Sequence, residues 1–231
     1  MKGFRDEVFV VFFCVLSLGS RSALAGMTIL DDFNRVDGPL GSNWTVQNGI
    51  FGISGEAAKN SDDDGLATFN GVTSSVLEAD VQAVGAYHYA GLVLKYKDNS
   101  NCLFMKVQPS TSSGGFDYGA FYYGNNAGSG TWGKYFELDS AFTTAHMRVE
   151  LAGDVVTMKF SNIDGGSGTQ IYTCAGAPDT GGTGIGIAAN RNSGLDNFAA
   201  DLPAATPAPG ALLLAGAGAS LVGWMRRRKA L

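Results

Sequence analysis

Residues 75–84 read Ser75-Val76-Leu77-Glu78-Ala79-Asp80-Val81-Gln82-Ala83-Val84. From Leu77 to Ala83 every second side chain is apolar, and the side chains between them are polar. Successive side chains of a β-strand point to opposite faces, so this alternation predicts a strand with one buried and one hydrated face. Residues 146–151 have the same pattern and the same interpretation.

Short β-type runs continue on both sides of this stretch, between residues 31 and 202, and no long segment has a helical period. The predicted strands cover residues 50–53, 66–69, 75–84, 87–96, 102–108, 119–123, 134–138, 146–151, 155–162, 170–173, 184–189 and 197–202. One open sheet of this width would leave long unpaired edges. The sequence therefore predicts an all-β fold with two stacked antiparallel sheets.

Composition supports this fold class and restricts the partners. The chain has 33 glycines, 45% hydrophobic residues and 16% charged residues, which suits a packed core with many turns better than charged helical surfaces. Its net charge is -5, although four basic residues lie together at 226–229. Nucleic acid is not an expected partner, because no basic face is present in the middle of the chain.

The amino-terminal residues 1–25 have the three zones of a secretion signal. Lys2 and Arg5 precede an apolar run over residues 8–18, and Ser22-Ala23-Leu24-Ala25 supplies small residues for cleavage before Gly26. The expected partners of this segment are the export machinery and signal peptidase.

The carboxy-terminal end has an anchor-like pattern. A proline linker occupies residues 204–209, and an uncharged run begins at residue 210 and reaches the basic cluster of the 210–231 segment. A helix there is barely long enough to span a bilayer, so it is predicted as a single marginal transmembrane helix. Because basic residues favour the cytoplasmic side, the preceding domain is expected outside.

This tail resembles the PEP-CTERM sorting signal in Pro207-Ala208-Pro209, in the apolar run and in the cluster of Arg226, Arg227 and Arg228. Ala208 stands where that family has an acidic residue. The resemblance implies recognition by an exosortase, a membrane cysteine protease. It also implies transient residence at the outer face of the inner membrane, then a place in the cell envelope, at the surface or in the extracellular matrix. Retention and cleavage of the tail both remain open.

Residues 26–203 resemble the concanavalin A-like lectin and glucanase superfamily, in particular LamG-like domains. The matching motifs are residues 31–35 (Asp-Asp-Phe-Asn-Arg), 38–44, 90–96 and 196–198. The resemblance implies a jelly-roll sandwich whose first and last strands pair, with ligands on the concave sheet or at the rim loops.

Aromatic residues in the middle of the chain make carbohydrate the leading ligand hypothesis, since sugars stack on aromatic rings and bind nearby amides. The candidate binding residues are Tyr87, Tyr89, Tyr118, Tyr122, Tyr123, Trp132 and Asn125. Aromatic residues in strands also serve as packing, so some of these rings are expected to be structural. The alternative is a structural matrix protein, without a small ligand, that associates with exopolysaccharide.

A glycoside hydrolase is a second alternative. Glu78 and Asp80 resemble part of the acidic strand motif of laminarinase-type enzymes, which need one carboxylate as nucleophile and one carboxylic acid as proton donor. Gln82 stands near the acid position, and an amide cannot donate that proton. No catalytic residue is therefore assigned, and Glu78 and Asp80 remain weak candidates.

Two further sites are open at this level. Asp62, Asp63 and Asp64 precede a glycine and offer oxygen ligands for calcium, or they form a hydrated acidic turn. Cys102 and Cys174 remain after the signal is removed, and in an exported protein they form either one disulfide or two buried thiols.

Overall fold

The computed structural model describes residues 26–85, 87–110, 115–124 and 133–202. Within these ranges the chain forms strands and one short 3-10 turn at Ile163–Gly165. The strands are β1 (Met27–Asp31), β2 (Gly38–Pro39), β3 (Trp44–Asn48), β4 (Phe51–Ile53), β5 (Ala58–Asn60), β6 (Gly65–Phe69), β7 (Val76–Gln82), β8 (Ala90–Asp98), β9 (Asn101–Gln108), β10 (Phe116–Tyr123), β11 (Gly133–Phe142), β12 (Thr144–Ala152), β13 (Val155–Ser161), β14 (Gln170–Cys174), β15 (Gly184–Ala189) and β16 (Gly194–Asp201).

The strands form two antiparallel sheets. The nine-stranded sheet has the order β14-β13-β12-β7-β16-β5-β4-β2, and β1 also pairs with β16. The seven-stranded sheet has the order β11-β10-β9-β8-β15-β6-β3. The predicted all-β sandwich is confirmed. The pairing of the first and last strands, with Met27 opposite Asp201, is the connection that the jelly-roll resemblance implied.

The main core lies between the sheets and follows the alternation quoted above. Leu77, Ala79 and Val81 of β7 are at most 1% exposed, whereas Glu78 and Asp80 point away from the core towards β12 side chains. Removing an aliphatic side chain from water contributes about 1.5–3 kcal/mol. Burial of one face therefore fixes the register, because a slip by one residue would move Glu78 and Asp80 into the core.

The motif at residues 31–35 is a structural clasp for this core. The Asp31 carboxylate accepts hydrogen bonds from Trp44 Nε1 at 2.7 Å, from Arg35 Nη1 at 2.6 Å and from the Phe33 amide at 2.9 Å. The Trp44 ring packs 5.1 Å from that of Phe198 on β16. Burial opposes ionisation of Asp31, but the bonds from Arg35 and Trp44 outweigh it and lower its pKa.

The seven-stranded sheet is apolar on its second face as well. Its residues facing away from the other sheet form a cluster that we call the outer cluster, defined by Leu66, Tyr89, Val93, Cys102, Phe104, Ala120, Tyr122 and Ala188. Each of them is at most 3% exposed. Strands buried on both faces read as nearly continuous apolar runs, which explains the sequence of β8 and β9.

Of the two alternatives left open for the cysteines, the structure has no disulfide: Cys102 lies on β9 of one sheet and Cys174 at the end of β14 of the other. The predicted strands need correction at two points. The strand predicted over 87–96 begins at Ala90, because Tyr87 has a positive φ of 60° that ends an extended backbone. The short strands β1, β2, β3 and β5 were not predicted, since their existence depends on distant pairing partners.

The predicted secretion signal at 1–25, the linker at 204–209 and the anchor at 210–231 lie outside the described residues. The same holds for the sorting motif at Pro207, Ala208, Pro209 and residues 226–228. Among the residues that are described, no helix has the length and apolar character needed to cross a membrane.

Candidate functional site

A lysine lies within the apolar outer face of the seven-stranded sheet. Lys106 of β9 is opposite Gly91 of β8 and Ala120 of β10, and the next residue in the same row is Tyr135 of β11. Its neighbours along β9, Met105 and Val107, face the main core, so strand alternation directs Lys106 to the outer face. The cation thus lies between Gly91 and Ala120, a residue without a side chain and one with a small side chain.

Two tyrosine rings flank this cation. Lys106 Nζ is 4.7 Å from the centre of the Tyr89 ring and 5.0 Å from that of Tyr122. Aromatic faces attract cations, but Lys106 is only 7% exposed, and burial lowers its pKa to about 8 while the negative charge of Asp64 opposes that shift. Desolvation is therefore the dominant effect on this ammonium group.

Polar groups around Lys106 are incompletely paired. Tyr89 OH donates to Asp64 Oδ1 at 3.1 Å, and burial raises the pKa of Tyr89. The buried Tyr122 hydroxyl has no hydrogen-bond partner within the described ranges. The Tyr122 hydroxyl therefore has unused capacity to form a hydrogen bond.

Exposed aromatic surface lies next to this buried group. Tyr135 is 56% exposed, and its ring meets that of Tyr122 edge-to-face at 5.4 Å. Tyr118 lies diagonally across the β10–β11 pair and donates from its hydroxyl to Glu137 Oε1 at 3.1 Å. Diagonal neighbours in a sheet are about 7–8 Å apart, so Tyr118 and Tyr135 can contact the same extended ligand. Together they form an accessible aromatic strip beside Lys106.

Three loops meet at the neighbouring rim. The Arg191 amide donates to the Asp62 carbonyl at 2.9 Å, and the Tyr89 amide donates to Asn190 Oδ1 at 2.5 Å. Arg191 and Asn192 have positive φ values of 47° and 68°, conformations that cost free energy and often occur at functional sites. These contacts hold Tyr89 at the edge of the outer cluster.

The predicted calcium ligands belong to this rim but face different partners. Asp63 Oδ1 accepts from Arg191 Nε at 2.6 Å, Asp64 accepts from Tyr89, and Asp62 Oδ1 accepts from the Asp63 amide at 2.8 Å. Within the described ranges no three His, Cys, Asp or Glu side chains converge as metal ligands. Each of the three carboxylates is thus engaged by a different partner.

The structure brings together some of the predicted sugar-binding residues but not all of them. Tyr89 and Tyr122 come together around Lys106, and Tyr118 lies on the strip beside them. Tyr87 is 59% exposed at the rim, whereas Tyr123 packs against the main core and donates to Asn101 Oδ1 at 2.7 Å. Trp132 and Asn125 lie outside the described residues.

The weak catalytic candidates lie on the opposite side of the sandwich, on the nine-stranded sheet. Glu78 Oε1 accepts from Arg148 at 2.5 Å, and Asp80 Oδ1 is 2.8 Å from His146 Nδ1. Asn197 Nδ2 donates to Asp80 Oδ2 at 2.8 Å. The hydrogen bond with His146 holds the pKa of Asp80 below its ordinary value, and the same bond raises that of His146. Both carboxylates are thus charge-compensated.

Sequence reasoning missed Lys106 and Tyr135. The available signal was a single charge inside the apolar run of residues 102–107, in a strand whose two faces are both apolar. For Tyr135, the signal was its position two residues before Glu137 and next to Phe136, whose ring packs inward. The alternation of β11 thereby places Tyr135 outside.

No protein-family model and no curated protein matches the sequence. Among solved structures, a xylan β-1,4-xylosidase from Bacillus halodurans superposes with a TM-score of 0.51 and 15% identity, over 75% of this chain and 38% of its own. A carbohydrate-binding module from Bacillus subtilis gives 0.48 and 15%, over 68% and 94%, and lectin II from Ulex europaeus gives 0.47 and 9%, over 70% and 93%. At these identities the likeness concerns the fold alone.

Proposed function

We propose that the chain is an exported saccharide-binding sandwich and that its binding surface is the accessible outer side of β10 and β11. The observation that carries this proposal is the exposed strip of Tyr118 and Tyr135 next to the buried pair of Lys106 and Tyr122. Aromatic rings stack on the apolar faces of sugars, and polar groups at their edges bind hydroxyls. The shared fold with part of a xylosidase, an enzyme named for action on a polysaccharide, is consistent with this proposal.

We propose that the domain binds saccharide without hydrolysing it. Glu78 and Asp80 are held by Arg148, His146 and Asn197, and they lie on the sheet opposite the tyrosine strip. A hydrolase needs a carboxylic acid and a carboxylate that flank the substrate together. Glu78 and Asp80 instead form hydrogen bonds with side chains of the neighbouring strands β12 and β16, as in a structural cluster.

The mature chain is expected to bind members of an oligosaccharide array, and Tyr135→Ala is expected to weaken that binding at least about tenfold, or 1.4 kcal/mol. Tyr135 is 56% exposed, so its removal should leave the melting temperature nearly unchanged. Ile171→Ala is the matched control, because Ile171 is 58% exposed on β14 of the other sheet. Array binding and thermal melting measure the two effects.

Two results would contradict the proposal. Equal loss of binding in Tyr135→Ala and Ile171→Ala would place the effect outside the strip. Absence of binding to every saccharide would favour the matrix protein without a small ligand.

We also propose export and envelope sorting, on the basis of the segments at 1–25 and 204–231. The sorting machinery would include signal peptidase and an exosortase-type protease. Intact mass spectrometry of the chain from its host tests both processing events, and a full-length mass in the cytosolic fraction would contradict them.

A further inference from the structure

A carboxylate lies within the exposed strip of Tyr118 and Tyr135. Glu137 is opposite Tyr118 in the β10–β11 ladder and two residues from Tyr135 on β11, so strand alternation directs Glu137 and Tyr135 to the same side. On its other flank Tyr118 is opposite Gln108 of β9. The row therefore places the Tyr118 ring between a carboxylate and an amide.

Glu137 is exposed, and in the part of the chain that the structure describes no basic side chain pairs with it. Its Oε1 accepts from the Tyr118 hydroxyl at 3.1 Å, and none of the described ion pairs includes it. Asp31, Asp63 and Glu78, by contrast, each pair with an arginine. The hydrogen bond to Glu137 and the charge of that carboxylate raise the pKa of Tyr118. The strip thus carries a negative charge that no described ion pair neutralises.

Both kinds of group in the strip attract cations. The face of a tyrosine ring attracts an ammonium group, and a carboxylate accepts charge-assisted hydrogen bonds that are stronger than neutral ones. The chain as a whole has a net charge of -5, although four of its 16 basic residues lie together at 226–229. Its field therefore favours the approach of a positively charged ligand over that of a negatively charged one.

We propose that the saccharide contains amino sugars and that the protonated amine of one sugar unit donates hydrogen bonds to the Glu137 carboxylate, while a sugar ring stacks on Tyr118 or Tyr135. This inference rests on the proposed function, because it names the class of saccharide for the same strip. An ionised carboxylate has about four acceptor positions, and Tyr118 occupies one of them. An ammonium group can therefore bind Glu137 without displacing Tyr118.

The test compares oligomers of glucosamine and of galactosamine with the same oligomers after N-acetylation, which removes the charge and keeps the sugar rings. Titration calorimetry uses the mature chain at about pH 5.5, above the ordinary glutamate pKa of about 4.3. At least one amine form should bind about tenfold or more tightly than its acetylated form. Glu137→Gln should abolish this preference and change the affinity for the acetylated form by less than about twofold.

Glu56→Gln is the matched control. Glu56 is also an exposed glutamate, and it lies between β4 and β5 of the nine-stranded sheet. Its replacement removes the same charge from the chain but not from the strip, so the preference for the amine form should remain. The control separates a local contact with Glu137 from the general effect of an acidic protein.

Salt and folding provide independent readings. In the parent chain the preference for the amine form should decline between about 50 mM and about 500 mM salt, because salt screens exposed charges, whereas binding of the acetylated form should change little. Glu137 is exposed, so Glu137→Gln should melt at nearly the same temperature as the parent chain.

The outcomes separate the two proposals. If amine and acetylated forms bind equally, or if Glu137→Gln retains the preference, the amino-sugar inference is overturned while saccharide binding stands. The same holds if Glu56→Gln loses the preference to the same extent. If no form of any saccharide binds, both proposals are overturned.

Discussion

Replacing Asp31 by alanine is expected to lower the free energy of unfolding by about 3 kcal/mol. Hydrogen bonds to a charged group contribute about 1.5–3 kcal/mol each, and a buried donor loses the acceptor that it has among the described residues. That donor is Trp44 Nε1, in a residue that is 7% exposed and packs against Phe198. Arg35, whose side chain is 38% exposed, can recover hydration. Urea denaturation followed by tryptophan fluorescence measures the change.

Asp32→Ala is the matched control for Asp31→Ala. Asp32 is exposed, and its described hydrogen bond is with the amide of Asn34 at 3.1 Å. Its replacement should change stability by less than about 0.5 kcal/mol. Equal effects at the two positions would show that residues 31–35 do not act as a clasp for Trp44.

Alkaline pH is expected to narrow the stability difference between Lys106→Met and the parent chain. The folded-state pKa of Lys106, about 8, lies below the ordinary 10.5, so between these values the unfolded chain holds a proton that the folded chain has lost. Stability rises with pH wherever the unfolded state binds more protons, here by about 3 kcal/mol across the whole interval. Lys106→Met lacks this pH-dependent contribution. Below about pH 8 the variant should be more stable than the parent chain, because it has no desolvated charge. That difference in the free energy of unfolding should shrink as pH rises.

Denaturant unfolding of both proteins between about pH 7 and pH 10 measures this difference. Burial raises the pKa of Cys102 to about 12 and raises that of Tyr89, so both groups destabilise the fold at alkaline pH. They are present in both proteins, and their contribution cancels when the two are subtracted. A difference that stays constant over this range would mean that Lys106 is not desolvated.

The sequence was sufficient for the fold class because local alternation and the core agree. Leu77, Ala79 and Val81 are buried as the pattern at 75–84 predicts. Because side chains alternate along a strand, burying any one of these three residues buries the other two on the same face. The two-residue strand β2 has no such internal pattern. It is defined by hydrogen bonds to β4, which is more than ten residues away along the chain. A strand of this kind cannot be predicted from the residues next to it in the sequence.

The site was predicted only in part, for a related reason. The sequence does not show whether an aromatic residue in a strand is buried or exposed. Tyr89, Tyr118 and Tyr122 were therefore predicted together as binding residues, although their exposures differ. Which ring meets Lys106 depends on the registers of β8, β9 and β10, and these follow from pairing rather than from composition. The state of Cys102 and Cys174 stayed open for the same reason, because the sequence does not show that they lie on separate sheets.

The pairing of β1 with β16 also determines how the domain is oriented by any attachment. Met27 and Asp201 face each other in the ladder, so the chain enters and leaves the sandwich within about 5 Å. Gly194, at the other end of β16, follows the rim loop of residues 190–193, about 24 Å away along an eight-residue strand. A tether at either terminus would thus hold the same end of the molecule and direct the rim away from the supporting surface.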